Sequence, residues 1–423
     1  MNSSISANQL PRFIFASGIA NLADGIAMVV WAWMASLLSR DPILVALMPV
    51  ALRLPWFLFA LPAGIVTDRV DRRRLILVMD CVRAGAFATA ALIVWGAMPL
   101  APAADNGTEM PVLFTALVLC ALSVGTAEVF RDNAAQTMLP ALVPHDQLER
   151  ANGRLWSVEL VGNALLGPAL GAFLISSLLW LPFALNAVAF GLAAMLIFGL
   201  QGKFATARDG TRNWRLELRQ GLAFLRAAPL LRLLAVITGV WNLLHQMVVI
   251  ALVLYVQEIL GLQAWGYGLI LAVGAVGGIA GGFVADRVVR WLGPGATAQW
   301  MTLASAVAFA AIPLVPNEYA LALVLAAFEF TGLIWNTVSV SYRQRAIPDD
   351  LLGRVNSVYR LLAWGMMPIG LLLSGLIVSA AETVIPRDAA LAMPFVAAAV
   401  GAALLTGVAW RPLGSGFALV SEK

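Results

Sequence analysis

Twelve apolar stretches, each long enough to cross a bilayer and separated by short polar breaks, constrain this chain more than any other feature. They are read near residues 13–38, 43–66, 75–99, 111–139, 151–177, 181–200, 231–256, 266–285, 296–314, 319–342, 354–380 and 390–410. At about 20 residues each they use about 240 residues, leaving about 183 for connections and tails. The expected fold is therefore an all-α integral membrane protein without an extramembrane domain. Composition agrees. The 423 residues are 61% hydrophobic and 12% charged, with a mean hydropathy of +0.87, whereas soluble domains carry about 25% charged residues. A water-soluble two-domain enzyme is excluded.

The formal charge of +4 and isoelectric point near 9.4 do not point to nucleic acid, because the arginines collect in alternate connections. One set holds Arg12, Arg69, Arg72, Arg73, Arg74, Arg150, Arg154, Arg287, Arg290, Arg343, Arg345, Arg354 and Arg360; the other holds only Arg40 and Arg387. The positive-inside rule then puts both termini in the cytoplasm, as an even number of spans requires. Residues 1–12 lack a cluster of positive charge, and the apolar stretch after them is too long for a cleavable leader. Cys81 and Cys120 fall inside apolar segments and read as buried free thiols, with no disulfide framework or zinc site.

The longest polar stretch, 201–229, joins the sixth and seventh spans. Within it Trp214, Leu218, Leu222 and Leu225 recur at helical spacing, flanked by Arg212, Arg215, Arg219 and Arg226. This is the pattern of an amphipathic helix lying on an anionic leaflet, and a plain linker between two halves is compatible with it.

Two motifs repeat. Gly64-x-x-x-Asp68-Arg69 after the second span recurs as Gly282-x-x-x-Asp286-Arg287 after the eighth. Pro144-x-Asp146-x-Leu148-x-Arg150-x-Asn152 before the fifth recurs as Pro348-x-Asp350-x-Leu352-x-Arg354-x-Asn356 before the eleventh. The chain therefore divides into a six-span half (1–200), a linker (201–229) and a second six-span half (230–423). Parallel halves imply a pseudo-two-fold axis along the membrane normal, with a substrate site near the midplane.

At these residues the sequence resembles the major facilitator superfamily over essentially its whole length. The run Gly64-Ile65-Val66-Thr67-Asp68-Arg69-Val70-Asp71-Arg72-Arg73-Arg74 is similar to that family's signature between helices two and three, with Asp71 where the consensus has glycine. The resemblance implies twelve transmembrane helices in two pseudo-symmetric halves. It also implies a gating latch of Gly64, Asp68, Arg69, Arg72, Arg73, Asp286 and Arg287, in which the carboxylate meets a helix dipole and the arginines offer forked donors. Asn163-x-x-x-Gly167-Pro168-x-x-Gly171 resembles the Gly-Pro motif of proton-exchanging exporters in the superfamily. Close helix packing is the rival explanation. The run Asp132-Asn133-Ala134-Ala135-Gln136 extends the likeness to the bacterial branch of siderophore exporters and macrolide efflux proteins.

Six acids lie within spans (Asp24, Asp80, Glu128, Asp132, Glu159, Glu329) against three arginines (Arg53, Arg83, Arg131). Each costs about 2.5 to 3.5 kcal/mol at a helix centre. A buried acid without a partner favours its neutral form, the property that a proton-coupled carrier uses. Asp24, Glu128, Glu159 and Asp132 are accordingly the proton-coupling candidates. Asp80 and Arg83, three residues apart, are expected to pair locally. Arg53 is expected to serve Asp24 or Glu159, Arg131 to serve Glu128 or Asp132, and Asp132 also lies within reach of the latch arginines.

In the resembled family spans one, four, seven and ten line the substrate cavity, which nominates Trp31, Trp241, His245, Glu329 and Asn336 beside Glu128. Glycines 274, 277, 278, 281 and 282 read as close-packing positions. The sequence has no phosphate loop ending in Gly-Lys-Ser/Thr and no His/Cys cluster, so neither ATP, a metal nor another cofactor is expected. The favoured function is proton-driven export of an amphipathic or lipophilic small molecule, a drug, macrolide or siderophore, through a bacterial inner membrane, with lipid as surroundings. A proton-coupled importer of a polar nutrient and a lipid-modifying membrane enzyme are the rivals.

Overall fold

The structure, a computed structural model, describes residues 9–143, 147–202, 204 and 214–421. Among these it forms twelve helices long and apolar enough to cross a membrane. Spans 1 to 4 are Gln9–Leu38, Pro42–Arg69, Arg72–Gly96 and Pro111–Met138. Span 5 runs through Leu148–Glu159, Leu160–Leu166 and Gly167–Ser177, and span 6 is Leu181–Phe198. Spans 7 to 10 are Pro229–Glu258, Ala264–Leu292, Pro294–Ala311 and Glu318–Ala346. Span 11 is built of Asp349–Trp364 and Met367–Ala381, and span 12 is Arg387–Ser421.

Local chemistry explains several ends. Asp71 caps span 3 by accepting from the Arg74 backbone N–H at 3.0 Å, and Asn317 caps span 10 by accepting from that of Ala320 at 3.0 Å. Gly293, at φ 79°, ends span 8 in a conformation that suits glycine. The middle of span 5, Leu160–Leu166, is a π-helix. Pro168 follows it, without an N–H and with a ring that crowds the preceding turn, so the widened turn falls where an α-helical ladder would be interrupted anyway.

The chain forms two compact units, Met1–Arg40 with Leu47–Thr211, and Asp41–Ala46 with Arg212–Lys423. In the first, span 3 packs on spans 4 and 6, and span 1 packs on spans 5 and 6. Its interior holds a column of rings. Trp31 meets Phe183 edge-on at 5.0 Å and Phe87 at 5.7 Å, and Phe87 stacks on Phe190 at 5.5 Å. Helical spacing aligns the column, since Phe183 and Phe190 are seven residues apart on one face of span 6. In the second unit span 8 packs along span 10, span 9 and span 7 along span 12, and span 7 against span 11.

The linker helix, Trp214–Ala227, uses its apolar stripe differently from the membrane-surface expectation. Leu225 is buried, and Leu218 and Leu222 pack with it, in one cluster with Leu231, Val355, Val358 and Tyr359. Protein at the start of span 11 packs on Leu218, Leu222 and Leu225, and the side chain of Trp214 falls outside the described residues. Gly221 allows that approach, because a Cβ there would lie 2.7 Å from the Arg354 carbonyl oxygen, and Arg354 donates to Gln220 at 2.8 Å. Arg212 and the whole side chain of Arg215 fall outside the described residues. Cys120 is buried as expected, whereas Cys81 is exposed on the outer face of span 3.

Candidate functional site

The first unit brings the intramembrane charges together in an arrangement that helix-local reasoning did not anticipate. Gly125 sets part of it. A Cβ at that position would lie 2.2 Å from the carbonyl oxygen of Leu52, so spans 2 and 4 touch backbone to backbone. One residue beyond Leu52 and three beyond Gly125, Arg53 faces Glu128 at 3.5 Å. Arg53 thus serves Glu128, not Asp24 or Glu159.

The local Asp80–Arg83 pair also does not form. Arg83, wholly buried, donates to Asp24 on span 1, with its guanidinium carbon 3.8 Å from the centroid of Phe190. Asp80, equally buried, lies 3.4 Å from Nε of Arg131 on span 4, and Nη1 of Arg131 lies 3.4 Å from Asp132. Arg131 therefore serves Asp80 and Asp132, leaving Glu128 to Arg53. The physical reason is coverage. A buried charge without a partner is far more costly than one that has one, and pairing Asp80 with Arg83 would leave Asp24 with none. Four carboxylates and three guanidiniums result, the most accessible members being Arg53 and Asp132, each about one-third exposed.

Glu159 sits on the exposed side of span 5 at the last residue before the π-helix. The exporter-like motif beyond it lies on a seam with span 1. A Cβ on Gly25 would fall 2.5 Å from the Asn163 carbonyl oxygen, one on Gly167 2.5 Å from the Gly25 Cα, and one on Gly171 2.7 Å from the Ile26 carbonyl oxygen. Close packing accounts for these glycines. The seam also fixes Asp24, the neighbour of Gly25. Asn186 of span 6, a lone polar residue in an apolar run and overlooked in the sequence, donates to the Ala23 carbonyl at 2.9 Å and ties down the same turn.

The latch candidates separate into two groups. Arg72 donates to the Thr137 carbonyl at 2.9 Å at the end of span 4, and Arg73 donates to the Leu200 carbonyl after span 6. The first satisfies a carbonyl that a helix end leaves without a partner, and the second reaches a carbonyl two residues beyond the end of span 6. Asp71, the departure from the family signature, accepts from the Phe204 N–H at 3.0 Å with its second oxygen, and Arg12 donates to the Gly199 carbonyl at 3.1 Å. The start of the linker is thereby pinned to the first unit. Arg69, Asp286 and Arg287 are exposed; Asp68 is helical in its backbone, and its side chain lies outside the described residues. Gly64 and Gly282 have open space where a Cβ would stand, so neither is a close-packing position here.

In the second unit His245 of span 7 and Glu329 of span 10 meet, Nε2 to Oε1 3.4 Å. Trp241 stacks on Phe328 at 5.3 Å and 7°, and His245 lies 5.0 Å from Trp241 and 5.3 Å from Phe328. The Trp241 indole N–H donates to Ser305 of span 9 at 3.2 Å. Gly277 and Gly281 bring span 8 onto span 10, where Cβ atoms would fall 2.1 and 2.3 Å from the carbonyl oxygens of Ala326 and Phe330. Asn336, two turns beyond Glu329, is exposed. Trp31 is different: it is fully buried in the ring column and is a packing residue, with no surface to offer a substrate. Phe328 and Ser305, which complete the cluster, were missed because nothing in an apolar span marks one phenylalanine or serine over another.

The sequence model of the Major Facilitator Superfamily matches residues 13–372. The chain belongs to that superfamily. It is accordingly a multi-pass membrane transporter of a small-molecule substrate, not an enzyme. The multidrug efflux pump Tap of Mycobacterium tuberculosis is 28% identical over 405 residues, 89% of each chain. Macrolide efflux protein A of Enterococcus faecalis is 28% identical over 123 residues, 29% of this chain and 34% of that protein. A bacterial homologue of the iron transporter ferroportin, solved in an inward-facing state, superposes with a TM-score of 0.74 at 16% identity over 97% of this chain and 99% of its own. That likeness establishes the fold. For a facilitator, the two clusters offer two kinds of chemistry: a charge-paired acid network in the first unit, and a carboxylate–imidazole pair beside a stacked aromatic pair in the second.

Proposed function

We propose that this facilitator exports an amphipathic or lipophilic small molecule, of the drug, macrolide or siderophore class, in exchange for protons. The observation that carries the reading is the network in the first unit, where Asp24, Asp80, Glu128 and Asp132 outnumber Arg53, Arg83 and Arg131 by one. One carboxylate beyond the number of guanidiniums gives the network room for a proton. Glu128 and Asp132, whose pairs reach the more open side, are its points of exchange with water; Asp24 and Glu159 flank the seam with span 1. The two relatives named as efflux proteins support the direction of transport. A charge crossing 100 mV supplies about 2.3 kcal/mol, enough for more than tenfold accumulation.

On this reading the protein lies in a bacterial inner membrane with both termini cytoplasmic, an orientation that its arginine asymmetry supports. Its two six-span halves, 1–200 and 230–423, act as the moving parts, with Asp68, Arg69, Asp286 and Arg287 at the gate. The test is proton flux in energised inside-out vesicles containing the protein, challenged with siderophores, macrolides and lipophilic cations, beside Glu128→Gln and Asp24→Asn. A compound that collapses the pH gradient with the intact protein, and fails to do so with Glu128→Gln, is the expected result. Substrate movement that leaves the gradient untouched overturns proton exchange.

A further inference from the structure

We propose that Glu329 is the counter-ion for an organic cation, and that His245 carries the proton which that cation displaces. The inference deepens the exporter reading and rests on it. Its starting point is isolation. His245 is thirteen residues from both Arg232 and Glu258 on span 7, about 20 Å along the helix in each direction. Glu329 is eleven residues from Glu318 and fourteen from Arg343 on span 10, about 17 and 21 Å. Both sit in the middle of their spans.

Among the described residues, the elements of the second unit packed against the pair bring no competing charge to it. Span 8 faces Glu329 with Gly274 and Gly278, where Cβ atoms would stand 3.7 Å from its Cγ and 3.5 Å from its Cβ. The ionisable groups of that span are Tyr267, seven residues from Gly274, and Asp286, Arg287 and Arg290 at the far end. Span 9 contributes Ser305 and Phe309. On span 11 the Tyr359 hydroxyl is held by Thr238, about 10 Å along span 7 from His245, and Arg360 lies against Trp364. Span 12 meets span 7 where Gly401 faces Leu244, and its own ionisable groups are Arg387, Asp388 and Arg411, ten or more residues away.

What surrounds the pair is aromatic. The face of an aromatic ring carries partial negative charge and attracts a cation within about 6 Å. Protonated, His245 is such a cation, set against the stacked pair of Trp241 and Phe328 with a carboxylate at 3.4 Å. The cluster is therefore already shaped around a flat cation, its own imidazolium. An incoming organic cation with an aromatic or broadly apolar body competes for the partly exposed Trp241 ring and the same carboxylate, which is about one-third exposed, while Phe328 stays buried behind Trp241. Once Glu329 is taken, the imidazolium loses its counter-ion beside a second positive charge and gives its proton to water, leaving neutral imidazole. One cation enters and one proton leaves, so the charge of the cluster is unchanged. This exchange is separate from the proton held by the first unit.

Tetraphenylphosphonium, a permanent cation with no proton of its own, is the probe. Its binding to the purified full-length protein is measured by calorimetry between pH 5.5 and 8 in buffers of different ionisation enthalpy. The expected result is affinity that weakens on the acid side, by up to about tenfold per pH unit, with release of close to one proton. Glu329→Gln loses at least about tenfold in affinity and Glu329→Asp recovers part of it, which separates charge from folding. His245→Gln binds the cation equally well at every pH and releases no proton. Affinity independent of pH in the wild type, unchanged binding in Glu329→Gln, or no binding of the phosphonium at all overturns the proposal. Proton flux driven by uncharged compounds in vesicles, with the phosphonium unbound, leaves the exporter reading standing and removes this one.

Discussion

Arg83 on span 3 pairs with Asp24 on span 1, not with Asp80, the acid one turn away in its own helix. The pair is sealed, since Arg83 is fully buried and the Asp24 side chain is 13% exposed. Removing one partner of a buried pair leaves a charge with no compensation and costs about 3–5 kcal/mol, whereas replacing both with apolar groups is close to neutral. Asp24→Asn is therefore expected to lower the unfolding temperature of the detergent-solubilised protein markedly, and Asp24→Asn with Arg83→Met to recover most of the loss. Equal melting of the single variant and the wild type would show that the pair contributes nothing.

Glycines in apparently similar motifs should respond in opposite ways. Gly167→Ala places a methyl group 2.5 Å from the Gly25 Cα, an overpacking worth about 1–3 kcal/mol. Gly64→Ala meets open space and is expected to leave thermal stability unchanged or slightly raised, because alanine is the better helix former. Thermal unfolding of the two variants side by side checks the contrast, and a larger loss at Gly64 refutes it.

Asp71→Gly restores the family consensus residue but deletes two hydrogen bonds, those to the Arg74 and Phe204 backbones. Loss of an N-cap alone costs about 0.5–2 kcal/mol. The expected consequence is local: faster proteolytic cleavage in the linker after Phe204, with span 3 otherwise intact. Limited trypsin digestion followed by mass spectrometry reads it, and an unaltered cleavage rate would mean that the burial of Phe204 and the hydrogen bond from the Arg72 N–H to its carbonyl hold the linker start without Asp71.

Tyr359 is buried in the second unit, and its hydroxyl meets Thr238 at 2.7 Å, Ser339 at 3.0 Å and the Leu234 carbonyl at 3.1 Å. Phenylalanine fills the same volume without the hydroxyl. Tyr359→Phe is expected to cost about 1–2 kcal/mol, seen in thermal unfolding. Ser339→Ala should cost less, because Tyr359 keeps its other two partners.

The legible part of this molecule was what a bilayer imposes. A span must be apolar over a fixed length, so twelve stretches become twelve helices wherever their ends fall. Ion pairing was illegible for the opposite reason. Arg83 and Asp80 share a face in sequence, yet the pairing depends on how far span 1 is rotated, and the Gly25–Gly167 seam decides that. The same seam explains why the exporter-like motif carries glycine at positions 167 and 171. The linker helix showed its apolar stripe through Leu218, Leu222 and Leu225 but not what would cover it, since lipid and the side of span 11 make the same demand. Trp31 and Trp241 are indistinguishable as letters; one lies inside a ring column and the other borders a carboxylate.

Behind the Asp24–Arg83 pair the polar path stops. Phe190 lies against the guanidinium, Phe87 stacks on Phe190, and Trp31 and Phe183 continue the column. Ring faces neither take up a proton nor hand one on. A proton that reaches Asp24 therefore finds no acceptor in these four rings and cannot be handed on through them. A carrier working against a standing gradient needs such an insulator as much as it needs a binding site, because any conductive thread through the bundle would drain the gradient whether or not substrate moved.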